Sequence, residues 1–387
     1  MPGRVAVVGV GRIGLRVAWD LSSRGYDVVL VDASLSSLRR ASGVVGGETR
    51  LVDASSPRAL AQALSDVDAA VLALPGSLEA KPLEGVIEAG VDAVDVSFYR
   101  GIPGEYAVRA RREGVNIVVD AGVAPGLSNM LVARAYRLLG RLREAYILVG
   151  GISEDPREGP LGLAATWNAE DLIDEYLRPA RMMASGRVVS VDPLSLACRV
   201  RIGGSLELEA FPTDGLRSLL HTMAGKADSL VEYTLRHPGH LGLVASLKEL
   251  GLLSETPIHA DGCMVRPRSL LARLIEERGR NVRDLVVLAV KARGGGGERA
   301  WLSIVRPEGR WSAMALATAS FAAAVLEELV SQGWRGDPGI HYPEELGLGD
   351  ASDSILGALR SRGVRVDEVD PGEVLIHECS QPPPTPG

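Results

Sequence analysis

The most chemically pointed stretch of the chain is Gly9-Val10-Gly11-Arg12-Ile13-Gly14. Glycines at this spacing, after an apolar run and before a helical pattern, fit a turn that cradles a dinucleotide pyrophosphate. Gly9 permits the tight turn, Gly11 lets the backbone approach the phosphates, and Gly14 lets helix and strand pack closely. Arg12 and Ile13 stand at the helix N-terminus, where unpaired N–H groups and the positive dipole end face an anion. Asp32 follows 18 residues after Gly14, at the end of the second apolar run. A carboxylate there accepts both ribose hydroxyls of the adenosine half and repels an added 2′-phosphate, which predicts NAD over NADP. A Rossmann-like domain binding another nucleotide is the competing interpretation.

Those residues need a sheet to hold them. Residues 4–8, 27–31, 69–74, 93–96 and 117–119 read as buried parallel strands with helical periodicity between them, a βαβ rhythm that implies a doubly wound α/β (Rossmann) domain over residues 1–126. Asp53 falls in a loop after the third strand, on the adenine side, where a turn-forming role is equally open. Leu74 and Pro75 end the fourth strand at the carboxyl edge, where ligands of such sheets lie. Asp120 ends the sixth strand beside the Gly122 turn that leads to Leu127.

Beyond Pro125-Gly126 the pattern changes. Residues 127–139 read as a helix leading out of the sheet, and strands such as 206–211 alternate like a half-exposed antiparallel sheet. This predicts a second α/β domain, with a mixed or antiparallel sheet, over residues 127–334. Residues 286–293 and 299–305 form a hairpin around Gly294–Gly297, the apolar helix 313–329 is expected against that sheet, and the Pro-rich tail 381–387 is expected to be disordered.

With 387 residues, 46% apolar and 24% charged, the chain suits two globular domains. A net charge of −7 offers no basic field for nucleic acid or an anionic membrane, which leaves a small-molecule partner. The three cysteines, Cys198, Cys263 and Cys379, are far apart and lack CxxC spacing, which argues against a disulfide framework or a metal site. The opening is too short and glycine-rich for a signal peptide, and no stretch reaches a span of uncharged apolar residues, so a cytoplasmic protein is expected.

From Asp120-Ala121-Gly122-Val123-Ala124-Pro125-Gly126-Leu127 onward the sequence resembles the saccharopine dehydrogenase-like family, and within it the lysine-oxidising branch. Further resemblance lies in Val94–Ser97, Val149–Ile152, Tyr176–Arg181, Glu209–Leu216 and Thr234–His240, in that order. The resemblance implies a Rossmann domain, a second domain carrying most of the substrate site, a C-terminal segment (335–380) that returns to the first domain, NAD or NADP chemistry at the junction, and a homodimer. The saccharopine-forming branch carries an Asn-Arg pair where this chain has Thr213-Asp214. Its absence favours lysine, a donor with an amine and no extra acid.

The activity so implied is oxidative deamination of the side-chain amine of L-lysine with NAD. Such a reaction needs a base, an ordered water and a grip on the α-carboxylate. Asp120 could bind the cofactor or orient the nitrogen, and Asp95 stands at a similar strand end. His237 and His240 are candidate bases, Arg236 a candidate carboxylate clamp, Thr213 and Asp214 candidate amine holders, and Trp167 and Tyr176 pocket lining. For each of these an ordinary packing, capping or ion-pair role competes. Reductive condensation of an aldehyde with an amino acid, as in saccharopine or carboxynorspermidine formation, is the nearest alternative. A nucleotide-binding regulatory protein without catalysis is the more distant one.

Overall fold

In the computed structural model, which describes residues 3–164, 169–331 and 336–377, the apolar runs of the first third become the strands of one parallel sheet. They are β1 (Arg4–Val8), β2 (Asp27–Asp32), β3 (Glu48–Leu51), β4 (Ala69–Leu72), β5 (Asp92–Asp95) and β6 (Asn116–Val118). Val5–Val8 and all of β4 are buried, as strands covered on both faces must be. The order β3-β2-β1-β4-β5-β6 continues past β6 with the parallel strand Gly339–His341. Direction of winding reverses between β1 and β4, so the crevice at their carboxyl ends is the place such sheets offer a ligand.

This sheet belongs to a unit made of Met1–Met130 and Ala315–Val364; Leu131–Met314 and Arg365–Gly387 form the other. The boundaries differ from the expected ones in two places. The helix Ala313–Val330 joins the first unit from Ala315 onward, where the Thr318 methyl approaches the Gly122 turn, rather than the second sheet. It is long and apolar enough to cross a membrane, yet 78% of it is buried in the fold. The C-terminal segment returns to the first unit only as far as Val364. It is pinned there by Arg362, whose side chain is fully buried and bonds Asp20 at 2.7 Å and Glu327 at 2.6 Å.

The second unit is built on a ten-stranded mixed sheet. Leu142–Ser153 pairs in parallel with Leu230–Arg236 on one side and antiparallel with Asp284–Gly294 on the other. Asp284–Gly294 turns into Gly297–Val305 as a hairpin. Both edges of the main path are closed by the last segment of the chain. Asp367–Val369 pairs with Gly297–Val305, and Val374–His377 pairs with Cys198–Ile202. One short turn, Pro371–Glu373, joins these two edge strands. Although the cysteine spacing argued against a disulfide framework, Cys198 is disulfide-bonded, while Cys263 is free and exposed. Trp167 and the tail 381–387 lie outside the described residues.

Candidate functional site

In the first unit the glycine turn is a cradle whose glycines are needed for different reasons. Gly9 has φ +88, and a Cβ there would stand 2.4 Å from the Ala73 carbonyl oxygen. A Cβ on Gly14 would stand 1.8 Å from the Gly9 oxygen, so the turn closes only without one. At Gly11 nothing lies within 4 Å of the Cβ position. The fold therefore leaves Gly11 free of packing demands, and its bare backbone opens space over the turn. Gly11 caps the helix α1 (Arg12–Ser23) without a side-chain bond, and no acid occupies the first turn. Arg12 and Ile13 thus begin a helix whose N–H groups and positive end suit a pyrophosphate.

Asp32 ends β2 beside that turn. Its Oδ2 accepts from the Val10 N–H and its Oδ1 from the Ser34 N–H, each at 2.8 Å, which fixes the carboxylate while each oxygen keeps a lone pair for a hydroxyl. Asp53 accepts from the Ser55 N–H at 2.9 Å, and this bond holds its exposed carboxyl below the usual range. That is the turn-forming geometry, so the structure gives Asp53 a local role.

At the carboxyl ends of β4 and β5, Leu74 N–H donates to Ser97 Oγ at 3.2 Å, and Pro75 opens the short helical turn Gly76–Leu78. Asp95 is wholly buried; its Oδ1 accepts from the Ser97 N–H at 2.8 Å. Burial, relieved by the Ser97 hydrogen bonds and reinforced by the charge of Asp120, pushes the Asp95 carboxyl up to about 7. Asp120 is 4% exposed and adopts φ +56, a left-handed conformation that costs about 1 kcal/mol or more. The turn after it is tight. Gly122 donates to the Pro125 carbonyl, Leu127 N–H donates back to Gly122, and a Cβ on Gly126 would meet the Gly122 oxygen at 2.0 Å. Asp95 and Asp120 therefore both lie at the carboxyl edge of the sheet, near enough for the charge of Asp120 to act on Asp95.

In the second unit the expected substrate residues do come together, but most already have protein partners. Arg236, 2% exposed, donates from Nε to the Tyr176 hydroxyl at 2.9 Å, from Nη1 to the Leu235 carbonyl at 2.9 Å, and from Nη2 to Glu175 at 2.5 Å. His240 Nδ1 faces the Leu161 carbonyl at 2.9 Å and must donate to it, which leaves Nε2 to accept from Tyr176 at 2.8 Å. Burial, and next the Arg236 charge, lower His240 to about 3. With both nitrogens engaged and its charged form disfavoured, His240 holds the Tyr176 hydroxyl in place. His237 Nε2 donates to the Ser153 carbonyl at 2.9 Å.

Asp214 is likewise taken. Arg181 grips it with two parallel bonds, Nε to Oδ1 at 2.7 Å and Nη2 to Oδ2 at 2.9 Å, so the carboxylate is not open to an amine. Thr213 Oγ1 donates to Glu232 Oε1 at 3.2 Å and lies 2.9 Å from Thr234 Oγ1. Glu175 and Glu232 are the residues that sequence reasoning missed. Glu232, Thr234 and Arg236 alternate with Val231, Tyr233 and Leu235 along one strand, and every one of these is buried. A polar row at period two reads as a solvent face; here it is an interior one.

Comparison with known proteins agrees with both halves. The saccharopine dehydrogenase NADP binding domain matches residues 5–121, and the saccharopine dehydrogenase C-terminal domain matches residues 122–364. An alpha-aminoadipic semialdehyde synthase of Arabidopsis thaliana is 26% identical over 59% of this chain and 23% of its own length. A saccharopine dehydrogenase [NADP(+), L-glutamate-forming] of Schizosaccharomyces pombe is 19% identical over 63% of this chain and 57% of its own. The match thus spans less than two thirds of either relative. Apo saccharopine dehydrogenase (L-Glu forming) from Saccharomyces cerevisiae shares the fold with a TM-score of 0.77 at 19% identity, over 95% of this chain and 99% of that one. Two family domains in sequence, a cradle for a pyridine nucleotide and a second α/β unit with a mixed sheet make this chain a member of the saccharopine dehydrogenase family.

Proposed function

We propose that the protein oxidises the side-chain amine of L-lysine with NAD. The observation that carries the reading is the pairing of an open cradle at Gly11 with a fixed carboxylate at Asp32. An acid held beside the turn favours two ribose hydroxyls and disfavours a 2′-phosphate, the reason for preferring NAD within a family whose domain is described as NADP-binding. NAD bound there would accept the hydride that leaves the carbon bearing the amine. In balance, R-CH2-NH3+ and NAD+ give the protonated imine R-CH=NH2+, NADH and one proton; water then releases ammonium and the aldehyde, which closes on the α-amine.

The chain's own residues manage protons and position. Asp120, beside Asp95, orients the nitrogen at the carboxyl edge, and Asp95, near pH 7, is poised to take up the proton. Lysine is preferred to saccharopine because Asp214 neutralises Arg181, and Thr213-Asp214 supplies no cation for a second acid group. Purified protein with NAD and lysine should form NADH, and lysine deuterated at its terminal carbon should pass deuterium to the cofactor. The named relatives favour a second reading, reductive condensation to saccharopine with NADP. Oxidation of saccharopine, with no turnover of lysine, would establish it instead.

A further inference from the structure

We infer that the Glu232 carboxyl is the receptor for a cationic amine of the substrate, an inference that rests on the amine-dehydrogenase proposal and names the group that recognises its substrate. Glu232 is 4% exposed on the strand Leu230–Arg236. Its Oε1 accepts from Thr213, but its buried Oε2 has no hydrogen-bond partner among the described residues. Leaving a buried polar atom unmet is costly, so a fold that keeps one calls for an explanation.

The other charges nearby are committed. Arg236 is bonded to Glu175, and Arg181 to Asp214. Arg178 approaches Asp214 at 3.8 Å and acts on Glu232 only as the weakest of its influences. Among the described residues, Glu232 therefore has no cation bonded to it. A Cβ on Gly215 would stand 1.7 Å from Oε1 and 2.4 Å from Oε2, so the bare Gly215 backbone packs directly on the carboxyl and a larger residue there would push it aside. A primary ammonium, with three donors, would satisfy Oε2 and find the Thr213 and Thr234 hydroxyls beside it.

Burial first, with Glu175 and Asp214 adding like charge and Thr213 and Arg178 opposing, pushes the empty acid up to about 8. At pH 7 it is therefore mostly protonated, and an ammonium that binds must expel the proton. Lysine itself stays cationic, since its side chain titrates near ~10.4. The experiment is calorimetric titration of the full chain with lysine, in pairs of buffers of different ionisation heat, between pH 7 and 9. Close to one proton should be released per lysine at pH 7, declining as pH passes about 8. Glu232→Gln should abolish the release and weaken lysine at least about tenfold, the loss of one charge-assisted bond, with NAD affinity retained; Glu232→Asp should keep the release. Lysine binding without proton release, equal affinity in Glu232→Gln, or no binding of lysine to the wild-type chain would each overturn the inference. The wild-type proton count stands even if a variant misfolds. Lysine that binds with proton release but is never oxidised would refute the dehydrogenase proposal and leave the role of Glu232 standing.

Discussion

Replacing Glu175 by glutamine separates two roles open to Arg236. The guanidinium is 2% exposed and its donors go to Glu175, the Tyr176 hydroxyl and the Leu235 carbonyl. Removing one partner of a buried pair costs about 3–5 kcal/mol because the other charge is stranded. Glutamine keeps an oxygen for the guanidinium, and the Glu175 side chain is 18% exposed, so the low end, about 3 kcal/mol, is expected. At about 2–4 °C per kcal/mol for a unit of this size, the melting temperature should fall by roughly 6–12 °C. Scanning calorimetry reads the shift, and urea titration at unchanged slope confirms that stability alone has moved. Adding Arg236→Met should recover part of the loss, since it removes the stranded charge. A melting temperature within about 2 °C of wild type, together with a large rise in the KM for lysine, would refute the reasoning: Arg236 would then be directed at the substrate.

Other variants probe other parts. Asp20→Ala leaves buried Arg362 with Glu327 alone, and should destabilise the first unit by about 1–3 kcal/mol in thermal melts. Asp32→Arg should weaken NAD and improve NADP in kcat/KM, and an unchanged preference would remove Asp32 from the cofactor site. Asp95, raised to about 7 when folded, binds its proton more tightly than in the unfolded chain. It therefore makes stability fall as pH rises from about 4 to 7; Asp95→Asn should flatten that part of the melting-temperature profile relative to wild type. Light scattering should return about twice the 40.9 kDa chain mass if the expected homodimer forms.

The first sheet was legible because its chemistry and its geometry demand the same residues: Gly9 and Gly14 are needed for the turn to close at all, and β4 is apolar throughout because both its faces are covered. The strand β3 was not among the apolar runs. Its residues, Glu48-Thr49-Arg50-Leu51, lie on the sheet's edge, none of them buried, so no apolar run marks them. The hairpin at Gly294–Gly297 was legible from turn chemistry, whereas the edge strands Asp367–Val369 and Val374–His377 are too short to announce their partners. In the second unit the residue types were visible and their engagements were not. His240 and Asp214 look like a base and an amine holder until the Leu161 carbonyl, Tyr176 and Arg181 are seen to occupy them. Glu232 was hidden by its period-two pattern, which is that of a surface strand.

The account depends on the first unit holding NAD at the Gly9–Gly14 turn through Asp32. Calorimetric titration of the wild-type chain with NAD and, separately, with NADP tests this directly. Repulsion between Asp32 and a 2′-phosphate at about 4 Å, with an effective dielectric near 20, amounts to about 4 kcal/mol per unit charge, so NADP should bind several hundredfold or more weakly. Saturable NAD binding with NADP far weaker is the predicted result; NADP binding as tightly as NAD, or no heat from either nucleotide, would contradict it.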